Sequence, residues 1–173
     1  DVLVPVGART MEVEMFLQRQ SGLDNRAFAD ELRAQLVLET NFNPAAQPIG
    51  TSLLDRADFE TDTVVNPALA TGWEVISGVW GTPLYGDAST PDASVSAALG
   101  GGNQLGRCTS NTGQAILEQT FDLRGNAAAI DADDLSLVLE GYFGGFGNDN
   151  DRSRLIAVFF DADNQKAFVF FDR

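Results

Sequence analysis

Residues 135–172, LSLVLEGYFGGFGNDNDRSRLIAVFFDADNQKAFVFFD, hold three apolar runs separated by two polar, acidic interruptions. In the first run Leu135, Leu137 and Leu139 alternate with Ser136, Val138 and Glu140, the period of a strand. Four glycines follow within the seven positions 141–147, and then Asn148-Asp149-Asn150-Asp151, a turn or an ion-binding loop by composition. The second and third runs, 155–160 and 167–171, are rich in β-branched and aromatic residues and bounded by Asp and Asn, as strands are. The stretch therefore reads as a β-meander, and the rest of the chain is read outward from it.

The chain has 173 residues, of which 44% are hydrophobic and 21% charged, so it has the length and composition to bury one domain core. No run is long enough to span a membrane as a helix. No basic stretch followed by an apolar one stands at the start, so a signal peptide is expected to be absent or already removed. The formal net charge is −14, and Lys166 is the sole lysine. Such a field repels nucleic acid; it fits cation binding, or simply a solvated acidic surface. With no histidine, Ser-His and Cys-His catalysis and His-ligated zinc or haem are excluded. Cys108, the single cysteine, cannot form an internal disulfide, and its polar neighbours predict exposure.

Along the chain, residues 1–7 enter a strand broken by Pro5. Met11, Val13, Met15 and Leu17 alternate with Glu12, Glu14, Phe16 and Gln18, a half-buried strand with acids on its other face. Residues 27–39 are ambiguous: Phe28, Leu32 and Leu36 have helical spacing, while Leu32, Ala34, Leu36 and Leu38 alternate. Residues 40–52, with two prolines and a glycine, are a linker or long loop. Trp73, Val75 and Ser77 share one strand face. Residues 95–99 read as a short strand, 115–123 as a longer one, and 125–134 as a loop of small residues and acids. Gly100-Gly101-Gly102-Asn103 is a flexible turn, without the Lys and Ser/Thr of a phosphate loop. About nine or ten short strands predict an all-β antiparallel sandwich or jelly roll.

Ala57-Asp58-Phe59-Glu60 followed by Gly72-Trp73-Glu74-Val75 resembles the opening of galactose-binding-like β-sandwich modules, which include many carbohydrate-binding modules of secreted bacterial proteins. Gly141-Tyr142-Phe143-Gly144-Gly145 with 149–151 resembles their middle. Residues 4–13 with Asp24-Asn25 and Ala29-Asp30-Glu31-Leu32 resemble their last two strands. The resemblance implies a jelly-roll sandwich and makes 32–38 a strand. It also implies an unusual order, with closing strands in 1–39, a linker at 40–52 and the main body in 53–173. Three arrangements fit: a circular permutation, a segment cut across two modules of a tandem array, or donation of 1–39 to a neighbouring subunit. An incomplete sandwich exposes unpaired edges unless a partner covers them.

Such modules commonly hold a structural calcium between opening and closing strands. Carried over residue by residue, the resemblance points to Glu60 and Asp30, with Asp58 and Asp87 as weaker ligands. Calcium takes six to eight oxygens, which acid-rich turns supply, although Asp149-Asn150-Asp151 lacks the Gly and Glu of a helix-loop-helix calcium site. Trp80, Tyr85 and Tyr142 adjoin glycine-rich turns and are the candidate platforms for a sugar, while Trp73 belongs to the core. Among 25 acids some pair always faces another, so no glycosidase pair is assigned and no catalytic residue is expected. Phe159, Phe160, Phe168, Phe170 and Phe171 fall on both faces of their strands, which predicts a sheet covered on both sides. The expectation is a non-catalytic extracellular or cell-surface structural protein that forms a homo-oligomer or polymer by strand complementation, stabilised by Ca2+. The alternative is a monomeric carbohydrate-binding module.

Overall fold

A computed structural model describes residues 2–20, 27–38, 52–60, 72–108, 113–145 and 151–169. Most of the expected 40–52 linker, the acidic stretch 148–150, the Phe168 side chain, Phe170 and Phe171 lie outside the described residues.

The chain is mostly β, in two antiparallel sheets. The strands are β1 (Val2–Leu3), β2 (Thr10–Gln18), β3 (Phe28–Leu38), β4 (Glu74–Ser77), β5 (Trp80–Gly81), β6 (Gly106–Cys108), β7 (Gln114–Asp122), β8 (Leu135–Gly144), β9 (Arg152–Phe160) and β10 (Lys166–Val169). One sheet has the order β1-β8-β3-β6-β5, the other β10-β9-β2-β7-β4. The N-terminal segment thus supplies the middle strand of each sheet. β2 pairs along its length with both β7 and β9; β3 pairs along its length with β8, and at Phe28 and Ala29 with β6.

Alternation decides these strands where intrinsic preference does not. Met11, Val13, Met15 and Leu17 are fully buried while Glu12, Glu14 and Phe16 are half-buried on the other face. In β3 the period-2 reading prevails over helical propensity, because Ala34 and Leu36 enter the same core as Leu135 and Leu137 of β8. Residues of both sheets join this one core, including Leu117, Leu155, Ala157 and Phe159, which makes the fold a sandwich. Burying each such aliphatic side chain contributes roughly 1.5–3 kcal/mol. Phe159 and Phe160 are consecutive and both buried, so the β9 end of its sheet is covered on both faces, as expected.

Three readings are corrected. Residues 95–99 belong to a helix, α1 (Ala93–Leu99), because local signals outweigh alternation: Asp92 accepts from the Ser94 amide at the N-cap and Gly100 closes the C-cap at φ 74°. The expected loop 125–134 contains a 3-10 turn at Arg124–Asn126 and a short helix, α2 (Ala127–Asp131), formed by its run of alanines. Cys108 is 1% exposed, because β6 turns it into the core. No helix among the described residues is long and apolar enough to cross a membrane.

Candidate functional site

Asp30 is the centre of a polar cluster on the outer side of the β3 sheet. The β3–β8 register shifts between Asp30 and Arg33, and Glu31 within that bulge takes φ 48°. Ala29 and Asp30, in regular register before the bulge, face opposite sides of the sheet, and both are buried because the loops carrying Tyr85 and Gly101 cover the outer side. Asp30 is 1% exposed. Its Oδ2 accepts from the Tyr85 hydroxyl at 2.6 Å and its Oδ1 from the Glu31 amide at 2.8 Å.

Two loops pack around it, the first of which carries Asp58 and Glu60. Residues 52–60 run along β3, with Leu53 N donating to Ala34 O at 2.7 Å and Leu32 N to Ala57 O at 3.0 Å. Gln119, buried on β7, holds this segment at both ends of its amide, accepting from Asp55 N at 3.0 Å and donating to Asp55 O at 2.7 Å. The segment ends in turns, so Glu60 does not stand on an opening strand as the resemblance implied. Asp58 Oδ1 accepts from Glu60 N at 3.3 Å, and Glu60 Oε1 accepts from Gln104 N at 2.7 Å. The second loop follows α1, where Ser96 Oγ donates to Gly102 O at 2.5 Å. Both of its inner glycines pass close to the acids. A Cβ at Gly101 would stand 3.2 Å from Asp30 Oδ2, and one at Gly102 would enter the Glu60 carboxylate.

The electrostatics are those of acids gathered without enough solvent. Burial, followed by the lesser push of Glu31 and Glu60, raises Asp30 to about 6, although its two hydrogen bonds pull the other way. Glu31 is raised by burial and then by Asp58 and Glu60. Tyr85 is driven well above its ordinary value, first by burial and then by its bond to Asp30. Strained backbone concentrates around the cluster: Glu31, Arg56 and Phe59 have positive φ, as does Ser89 in the loop that carries Tyr85.

The sequence-predicted residues therefore converge in part. Glu60 acts on Asp30 and its amide donates to Asp58, and Tyr85 joins them as a buried hydrogen-bond donor. It does not serve as an exposed platform, because its ring is closed over and its hydroxyl is committed to Asp30. Trp80 is 3% exposed and packs in the core, which its place on β5 opposite Cys108 requires. Tyr142, opposite Asp30 in the ladder, is 39% exposed, with its hydroxyl on Leu99 O at 3.3 Å. Asp87 is exposed and accepts from Leu84 N at 3.2 Å, closing the turn that presents Tyr85. Sequence reasoning missed Glu31, Ser96 and Gln104. The run Gly100-Gly101-Gly102 was the available signal, since glycines are needed wherever a backbone must pass close to another group.

Hard oxygen donors, mutual carboxylate repulsion and a glycine wall suit Ca2+ in chemistry. An ion here would complete its shell with backbone carbonyls or water. Among the described residues the group of three acids whose ligand atoms all lie within 4.8 Å of one another is a different one, Glu12, Glu14 and Glu118 on the opposite sheet. Nothing besides the acids points to an ion there, and it is not read as a metal centre.

The fold and site define a two-sheet antiparallel sandwich with a buried acid–tyrosine cluster on one outer face. Comparison with protein-family models, with curated proteins and with solved structures gave no match.

Proposed function

We propose that the chain is a non-catalytic, extracellular structural module, a galactose-binding-like jelly roll in permuted order, that self-associates by strand complementation and is stabilised by Ca2+. The observation that carries this reading is the position of β2 and β3 at the middle of the two sheets. Lifting residues 1–38 out of the sandwich would leave β7 and β9 unpaired towards each other in one sheet and β6 and β8 in the other. Open edges of that kind demand a strand, and a neighbour's N-terminal segment has the same sequence as the chain's own. Donation from each copy to the next is head-to-tail and does not close. The acid cluster straddles the same division: Asp30 and Glu31 come from the N-terminal segment, Asp58 and Glu60 from the body. A calcium ion bound there would clamp the donated segment to its acceptor. The resemblance to secreted modules supports the extracellular placement.

Light scattering and electron microscopy on the full chain, with calcium and with a chelator, test this. Large, concentration-dependent species that a chelator shrinks are expected. A monomer at every concentration in both conditions would overturn the self-association.

A further inference from the structure

On the outer face of the other sheet, three adjacent strands place a carboxylate on the same rung. Glu74 of β4 lies opposite Glu118 of β7, and Glu118 lies opposite Glu14 of β2. Glu12 is the next outward residue of β2, and the ligand atoms of Glu12, Glu14 and Glu118 all lie within 4.8 Å of one another. Like charges directly opposite across a ladder oppose pairing. The described cations of this face do not stand directly opposite the rung: Arg152 of β9 lies opposite Gln18. Arg154 of β9 lies opposite Phe16, and Lys166 of β10 lies opposite Phe160, with its ammonium 5.4 Å from the centre of that ring. Towards the acids β9 presents Ile156 opposite Glu14 and Val158 opposite Glu12, and β7 presents Thr120 opposite Glu12.

The strand at the end of this rung is the one least able to resist the repulsion. β4 has four residues, among the described residues pairs only with β7, and its register breaks between Val75 and Ser77. Its Ile76 is 49% exposed. β2, by contrast, is paired on both sides over nine residues.

We propose that the Glu14–Glu118–Glu74 rung is a pH-sensitive latch on the β4 edge, loosening β4 when Glu118 is charged between its two neighbours and closing it onto β7 when Glu118 is neutral. Two groups of the cluster are raised above the ordinary carboxylate value. Glu118 is raised by burial and then by Glu12, Glu14 and Glu74, with Thr120 pulling slightly down. Glu12 is raised by burial, against the pull of Lys166 and with the push of Glu14. Groups raised in the folded state favour folding at low pH, and that favour is lost as pH rises through their folded values. The edge is therefore held more tightly at lower pH and more loosely at higher pH. The latch works within one chain and does not depend on assembly.

Hydrogen exchange of the full chain at pH 5.5 and 7.5, corrected for intrinsic rates and run in chelator, tests it. Opening of the β4 amides is expected to increase at least about fivefold at the higher pH, while the β1–β8 edge of the other sheet stays constant. Glu118→Gln, which removes the middle charge, flattens the β4 profile. Glu74→Gln, at an exposed edge position, does the same if the first variant folds poorly. Equal β4 protection at both pH values in the parent chain would overturn the latch. So would an undiminished pH dependence in the folded variants.

Discussion

The Tyr85 hydroxyl donates to Asp30 Oδ2 at 2.6 Å, joining the loop after β5 to the bulge of β3 inside the protein. A phenol is a good donor to a carboxylate, yet this one does not restore what Asp30 loses on leaving water, and its carboxyl is held at about 6. The shift predicts how stability depends on pH in chelator. Asp30 is raised in the folded state, so its contribution is fully present below the ordinary carboxylate range and is lost as pH rises to about 6. The full span corresponds to about 3 kcal/mol, with about 1 kcal/mol of it between pH 5 and 7. Asp30→Asn keeps an acceptor for Tyr85 and removes the charge. Urea melts across pH 5–7.5 should show a falling midpoint in the parent and a flatter one in the variant. Parallel curves would contradict the assignment.

Calcium reverses that balance if it binds beside Asp30. A cation at the cluster favours the charged form, so ion-induced stabilisation should grow from pH 5 to 7 and disappear in Asp30→Asn. Gly102→Ala provides an independent check. Its Cβ enters the Glu60 carboxylate, which must then swing away from the Gln104 amide. At least about tenfold weaker calcium binding is expected by titration calorimetry, equivalent to about 1.4 kcal/mol. Unchanged affinity in Gly102→Ala would remove Glu60 from the ligand set.

β2 was legible in the sequence because it buries one face, and period 2 is written directly into residues 10–18, whereas β8 and β9, buried on both faces in part, were legible from their apolar runs and the acidic breaks between them. Asp30, Asp58 and Glu60 were legible only through resemblance, since nothing local shows that a β-bulge and a loop along β3 bring them together. Tyr85 and Trp80 were misplaced for a related reason. Their glycine-rich neighbours predict exposure, whereas packing of the 82–105 loops over β3 is a long-range event. Residues 93–99 show the opposite failure: Val95 and Leu99 drew a strand reading, while Asp92 and Gly100 carried the stronger local signals.

Phe59 illustrates how tightly the cluster is built onto the sheet. It is fully buried at φ 58°, and its ring lies over Gly106 of β6, where a Cβ would stand 2.7 Å from Cζ. Gly106→Ala forces the ring off its seat or β6 off β3. Overpacking of this kind costs roughly 1–3 kcal/mol. A denaturation midpoint equal to the parent's would show that the ring has room to move.

Which chain donates β2 is open to a covalent test. Phe16 and Arg154 are partners across β2 and β9, on the outer face and away from the core. Cysteines at both positions, Phe16→Cys with Arg154→Cys, will form a bridge in whichever sandwich the two strands share. Cys108 is buried and should not compete. If each chain completes its own fold, oxidation yields a cross-linked monomer on a denaturing gel. If the N-terminal segment is exchanged, the same oxidation yields a ladder of covalent multimers that collapses on reduction. The fold makes identical β2–β9 contacts in both cases, so stability measurements cannot separate them, whereas the bridge records which chain each strand came from. A ladder is expected from protein assembled at high concentration, and cross-linked monomers alone from such a sample would defeat strand donation.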